Sequence, residues 1–143
     1  SDLVCYYATD PAGLVARQEA RWAPVTARAE QELALMLVRT AGIVHQAQPE
    51  PTLARVKVLA LELDDFALTG LAFGASLFGS AVLAFALHRG WITGEQAWEL
   101  SRLDEAFQEE LWGVDEEAAE RTARLRLEAI LLQRWFEALK SNA

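Results

Sequence analysis

The residues best placed to do chemistry lie between Ser101 and Gly113, in SRLDEAFQEELWG, where Asp104, Glu105, Glu109 and Glu110 crowd into one helical stretch with Trp112. Carboxylates at this density can serve as general acids and bases, ligate a hard metal ion, grip a basic partner, or form a solvated helix face. The rest of the inventory argues against the first two. His45 and His88 are the only histidines and neither has a second ligand at i, i+4, so a metal site would rest on carboxylates alone. No glycine-rich phosphate loop follows a strand, and no serine or cysteine sits in a nucleophile elbow. Glu109-Glu110 and Asp115-Glu116-Glu117 are what polar helix faces and acidic first turns ordinarily carry. The chain is therefore read as a non-enzyme, with no metal and no cofactor.

Composition narrows the partners. The 143 residues fit one domain with a real core. Thirteen Lys and Arg against 21 Asp and Glu leave a net charge of −8, and no basic cluster is dense enough to follow a phosphate backbone. Nucleic acid is not an expected partner; basic protein surfaces are. Cys5 is the only cysteine, which fits a reducing compartment. No secretory leader is visible. The chain opens on SDLVCYY, an apolar, strand-like run needing strands to pair with, and this suggests a fragment lacking an N-terminal portion. Unpaired, that run would be disordered or would pair with another molecule.

The elements that must position these residues are mostly helical. Asp10 before Pro11 reads as a helix start, with Asp as cap and Pro at the first helical position. Pro24 then forces a kink or break at Trp22–Pro24, giving one bent helix or two short ones. Residues 33–38, LALMLV, fit a short strand or a helix end, and 42–51 is a loop. Leu53, Val56, Leu59 or Ala60, and Leu63 recur at helical spacing in 52–63. Residues 66–87 carry no charge, and Gly70 with Gly74 makes a G-x-x-x-G spacing, so by length this run is a membrane-span candidate. The favoured reading is a buried central helix or tight helix pair. Its glycines admit close neighbours and the Ser76 and Ser80 hydroxyls bond backbone carbonyls, because the amphipathic segments around it need an apolar partner. His88-Arg89-Gly90 closes it. Thr93 with Gln96 fits a capping box opening a helix that runs to Trp112. Asp115 caps a last helix of about 25 residues, whose seam is Ala118, Thr122, Leu125, Ala129, Leu132, Phe136 and Leu139. The fold class expected is mainly α, five to seven helices around a central apolar helix or pair, with a short β element near the N-terminus.

On the 93–112 helix, 100° steps place Ala97, Leu100, Leu103, Phe107 and Leu111 on one core-facing stripe. Asp104 lies at its edge, half-buried and needing a partner such as Arg or a backbone N–H; it reads as a structural carboxylate tying two helices together. Trp98, Glu105 and Trp112 recur every seven residues on nearly the opposite side, with Arg102 and Glu109 beside them. Either another helix covers that face, or it is an aromatic and acidic grip for a partner. Glu109 and Glu110 are read as mostly solvated.

Three blocks in this order and spacing carry a family resemblance. They are DLVCYYATDPAGLVARQEARWAP at the front, GIVHQAQP, and LTGLAFGASLFGSAVLAFALHRGWITGEQAWELSRLDEAFQEELWG followed by DEEAAE. Over most of its length the chain resembles the assembly chaperone of the ATP synthase catalytic sector that holds the alpha subunit, the Atp-twelve type. It departs from that family in lacking the N-terminal β-rich domain and in the glycine content of GLAFGASLFG. The resemblance implies a single C-terminal helical domain over 1–143. It also implies a nucleotide-independent, non-enzymatic chaperone, bacterial cytoplasmic or mitochondrial, that covers the alpha-subunit surface later taken by the beta subunit. The acidic residues it implicates map to Asp104 or Glu105 and to Asp115, with Trp112-Gly113 as landmarks. Glu105 is preferred because helical geometry sets it between the two tryptophans. The expected partner-binding set is thus Glu105, Asp115, Trp98, Trp112, Asp104 and Glu109. The alternative function is a membrane-inserted helical subunit using 66–87.

Overall fold

A computed structural model describes residues 2–42 and 44–141. Ser1 of the opening run and Ile43 of the expected 42–51 loop lie outside the described residues. The centre of the molecule is a helix pair made from the uncharged run. Asp64 accepts from the Ala67 amide (2.8 Å) and starts α4, Asp65–Phe78. Gly79, at φ 66°, turns the chain, and Ser80 accepts from the Leu83 amide (3.0 Å) to start α5, Ala81–His88. A residue with a side chain is strained at that φ, so glycine is what lets the run double back within two residues. Val82 to Leu87 are all buried. The 22-residue run is thus two short antiparallel helices, and no helix among the described residues is long and apolar enough to cross a membrane. Ser80 does not bond a backbone carbonyl as expected; its hydroxyl donates to Asp2 (2.6 Å). Ser76 is exposed.

The last helix, α8 (Glu116–Ser141), lies across this pair. Its expected seam is what it buries: Ala129, Leu132 and Phe136 are inaccessible, and Ala118, Thr122, Leu125 and Leu139 are half-covered. Gly70 and Gly74 face it, and a Cβ at Gly70 would come within 2.8 Å of the Phe136 ring and one at Gly74 within 3.0 Å of Leu132. The helix after the capping box, α6 (Gly94–Ser101), begins in the same way: Thr93 and Gln96 form both bonds of the box, and a Cβ on Gly94 would collide with the Ala129 carbonyl.

The front of the chain wraps this core. Leu3–Cys5 form a 3-10 turn and Tyr6–Tyr7 a strand, β1, which pairs in parallel with β2, Thr40–Ala41. The opening run therefore finds its partner inside the chain, contrary to the expectation of disorder or intermolecular pairing. Asp2 anchors it by accepting from Ser80 Oγ, the Val82 amide (3.0 Å) and the Val4 amide (3.3 Å). Between the strands run α1 (Ala12–Arg21) and α2 (Ala23–Leu33), separated at Trp22 as Pro24 foretells. Asp10 does not cap α1; Pro11 takes the cap position in extended backbone, with no side-chain hydrogen bond. Leu33 ends α2 because Ala34 enters the left-handed region (φ 55°), and the following segment is irregular, pinned by Gln48 to both Val38 backbone groups and by Arg55 to the Leu33 carbonyl. The third helix, α3 (Glu50–Leu61), buries Thr52 and Leu59 but leaves Leu53 exposed, since little besides α4 packs against it.

One of the titratable groups packed against this core is a histidine. His88 closes α5 with its ring edge-on to Phe136 (5.1 Å), and Nδ1 is buried with no hydrogen-bond partner among the described residues. Burial, then Lys140 and Arg89, push its pKa below 6.5, opposed by Asp64. The unfolded chain therefore takes up the proton first, so this contribution to stability is present above 6.5 and is lost as pH falls through the depressed folded value. Melting temperature should drop on mild acidification, and His88→Phe should flatten that slope. Gly94→Ala should destabilise by about 2–4 kcal/mol in urea unfolding at any pH, because the carbonyl it meets is backbone and cannot step aside.

Candidate functional site

The acidic stretch is broken at Arg102 (φ −109°, ψ 16°), which separates α6 from α7, Leu103–Trp112. The cause lies far away in sequence. Trp22, fully buried, donates its indole N–H to the Leu100 carbonyl (2.9 Å), giving α6 a side-chain terminus where a continuous helix would use the Asp104 amide. The break defeats the single-helix wheel. Ala97, Leu100 and Leu103 face the core as expected, but Phe107 is only half-buried, against Gly13 of α1, and Leu111 is exposed. Trp98 is buried at 6 % exposure, with the Arg102 guanidinium 5.6 Å from its ring, whereas Trp112 is 81 % exposed. Trp98, Glu105 and Trp112 therefore do not form one exposed face: the first belongs to the core and the other two to α7.

The carboxylates separate by partner. Asp104 accepts from Gln18 Nε2 (2.8 Å), and Gln18 Oε1 accepts in turn from the Ala8 amide (2.9 Å), so Asp104 is the structural, half-buried carboxylate expected, with an amide where an arginine or backbone N–H was anticipated. Glu109 is bound to Arg102 (2.6 Å) with both side chains largely covered. Glu110 forms a two-pronged pair with Arg17 (3.0 and 2.9 Å), which holds its carboxyl below the usual range. The expectation that Glu109 and Glu110 are mainly solvated is corrected for the first and qualified for the second, which is exposed but engaged. Asp115 caps α8 by accepting from the Ala118 amide (2.7 Å) and remains exposed. Glu105 is exposed and has no hydrogen-bond or ion-pair partner among the described residues.

Glu105 stands at the lip of a groove of about 420 Å³ that Leu3, Leu77, Trp98, Arg102, Arg121 and Leu125 help to line. Beyond it, the end of α7 presents Leu111, Trp112 and Val114 to solvent. An unpaired carboxylate beside a half-apolar groove and exposed aromatic and aliphatic side chains suits a protein segment with a basic residue. Elsewhere little chemistry is on offer. His45 is tied to the Tyr6 hydroxyl (3.0 Å), and burial, reinforced by Asp2 and Glu30, pushes the Cys5 thiol up to about 12. Among the described residues no group of three His, Cys, Asp or Glu side chains is placed to hold a metal ion.

No protein-family model matches the chain. Solved structures do. The crystal structure of Atp12 from Paracoccus denitrificans superposes with a TM-score of 0.91 at 36% identity, over 95% of this chain and 58% of that one. The chain is similar to Atp12 along nearly its whole length. Atu1473 of Agrobacterium tumefaciens, described as a presumed chaperone, is 42% identical to this chain with a TM-score of 0.87, over 96% of this chain and 52% of its own. A substituted form of the Paracoccus protein, with Lys in place of one Asp, matches equally well at 35% identity. The chain thus spans between about half and three-fifths of these relatives' lengths.

Two residues that build the candidate site, Gln18 and Trp22, were not singled out for it from sequence. A signal existed: Leu14, Gln18 and Trp22 follow one another at four-residue steps on the buried face of α1, and an amide in such a stripe must find polar partners. Gln18→Leu should cost about 1–3 kcal/mol of unfolding free energy, since it strands the Ala8 amide and removes the donor to Asp104. Urea titration followed by circular dichroism measures this, and Glu105→Gln should leave the same curve unmoved.

Proposed function

We propose that this chain is the client-gripping helical part of an assembly chaperone for the ATP synthase catalytic sector. It holds the unassembled alpha subunit and shields the surface that the beta subunit later covers, without nucleotide or cofactor, in the bacterial cytoplasm or the mitochondrial matrix. The reading is supported by likeness to Paracoccus Atp12 across 95% of the chain. The observation that carries the site is that three of the four carboxylates in the SRLDE stretch are engaged within the molecule, while Glu105 is not. Glu105 therefore faces the client at no internal expense, Trp112 supplies exposed aromatic area, and Asp115 adds charge beside them. Trp98, Asp104 and Glu109 act through position: they hold α6 and α7 where Glu105 reaches the groove.

The test is binding of the isolated alpha subunit, followed by calorimetry and by client solubility. Glu105→Lys should weaken binding by about tenfold or more, equivalent to 1.4 kcal/mol. Asp115→Asn removes the charge but keeps the α8 cap, and should weaken binding less. Glu32→Lys, on α2, should change nothing. No binding by the unsubstituted chain, or a folded Glu105→Lys chain that binds normally, would sink the assignment.

A further inference from the structure

A second apolar surface is left over once the Glu105 groove is accounted for. Between α4 and α8 lies a groove of about 300 Å³, with Thr69, Gly70, Phe73, Glu128, Leu131 and Trp135 around it. Phe73, Leu131 and Trp135 are between 41 % and 48 % exposed along its walls, and Phe66 and Leu127 are exposed on the same two helices. The groove is built, and is more than a gap. Trp135 is held upright by its indole N–H on the Phe66 carbonyl (3.0 Å), and the floor exists only because Gly70 has no side chain; a Cβ there would lie 2.9 Å from the Trp135 ring.

The groove lies along the same helix pair, α4 and α8, as the one that holds Glu105. Phe66 and Gly70 meet Trp135, Gly74 meets Leu132, and Leu77 lines the Glu105 groove with Arg121 and Leu125, so α4 and α8 run antiparallel and both grooves lie along one seam. From residue 121 to residue 135 it is about 21 Å long. We propose that this seam is the main docking track for the client, and that its occupant is an amphipathic helix of the bound subunit. Its apolar face lies on Phe73, Leu131 and Trp135, and its basic residues face Glu128 and, at one end, Glu105.

Charge and backbone chemistry choose this occupant. A second copy of the chain carries the same net −8 and would be repelled as it approached, whereas a basic segment would be drawn in. An added strand would find no edge to pair with, because the only strands among the described residues are 6–7 and 40–41, and none of these residues lines the seam. Two antiparallel helices offer instead the ridged trough into which a third helix packs.

The proposal rests on the client reading above, and the same client tests it. The isolated ATP synthase alpha subunit is titrated against the chain, against a Phe73→Ser, Leu131→Ser double variant, and against Leu53→Ser, which alters an exposed leucine on α3. The double variant should lose about tenfold or more in affinity, with its circular dichroism melt retained, and Leu53→Ser should lose none. A polarity-sensitive dye on Leu131→Cys should shift to the blue when the client is added; Cys5, buried, stays unlabelled. If the alpha subunit binds, Glu105→Lys weakens it and the double variant does not, the track is refuted while the client reading stands. If the alpha subunit does not bind at all, both fall. A dye already shielded before client is added, or a dimer by sedimentation that the double variant disperses, would give the seam another occupant and overturn the proposal.

Discussion

Everything in this molecule depends on how closely the backbone of α8 can approach the helices beneath it. Gly70 and Gly74 on α4 and Gly94 at the start of α6 are the points of contact, each facing a side chain or carbonyl of α8 that any Cβ would strike or crowd. Close approach brings Leu132 and Phe136 into a packed layer with Phe78, Leu83 and Leu87, where dispersion contacts are dense and voids few. It also explains why so uncharged a segment as 66–87 sits inside a protein interior: α5 is enclosed on all sides, α4 on most of them, and the side α4 leaves open is the one that lines the seam.

How much of this was legible in the sequence depends on how local its cause is. The Thr93 box, the Asp115 cap and the seven-residue seam of α8 are each set by residues within a few positions of one another, and each is found where the pattern puts it; the apolar run, read as one helix or a pair, is a pair. The break at Arg102 is not local. No glycine or proline marks it, and its hydrogen-bond cause is an indole 78 positions away in the chain. With the break went the assumption that Trp98 and Trp112 share a face. The Arg17–Glu110 pair, 93 positions apart, was invisible for the same reason, as was β2 as the partner of the opening run. Gln18 lay in plain view on a buried stripe, but its two partners could be named only from the fold.

The site gains its character from subtraction. An acidic helix in a chain of net charge −8 would ordinarily be a diffuse negative field, useful for steering and poor at discrimination. Here the fold neutralises Glu109 and Glu110 against arginines and occupies Asp104 with an amide. What remains outward is a single carboxylate at a groove lip, beside the exposed end of α7. The same residues that look redundant in sequence thereby acquire different jobs, and only one of them is unspent.

The anchoring of α7 differs in kind from that of its neighbours. α6 is held by buried apolar side chains, but α7 is tied to α1 by Arg17 on Glu110, Arg17 over Phe107 and Gln18 on Asp104, contacts that are polar and in good part open to solvent. Ion pairs of that exposure are screened at moderate ionic strength, whereas burial of hydrocarbon is not. The attachment of α7 to α1 therefore depends on the salt around it more than does the packing of the rest of the bundle.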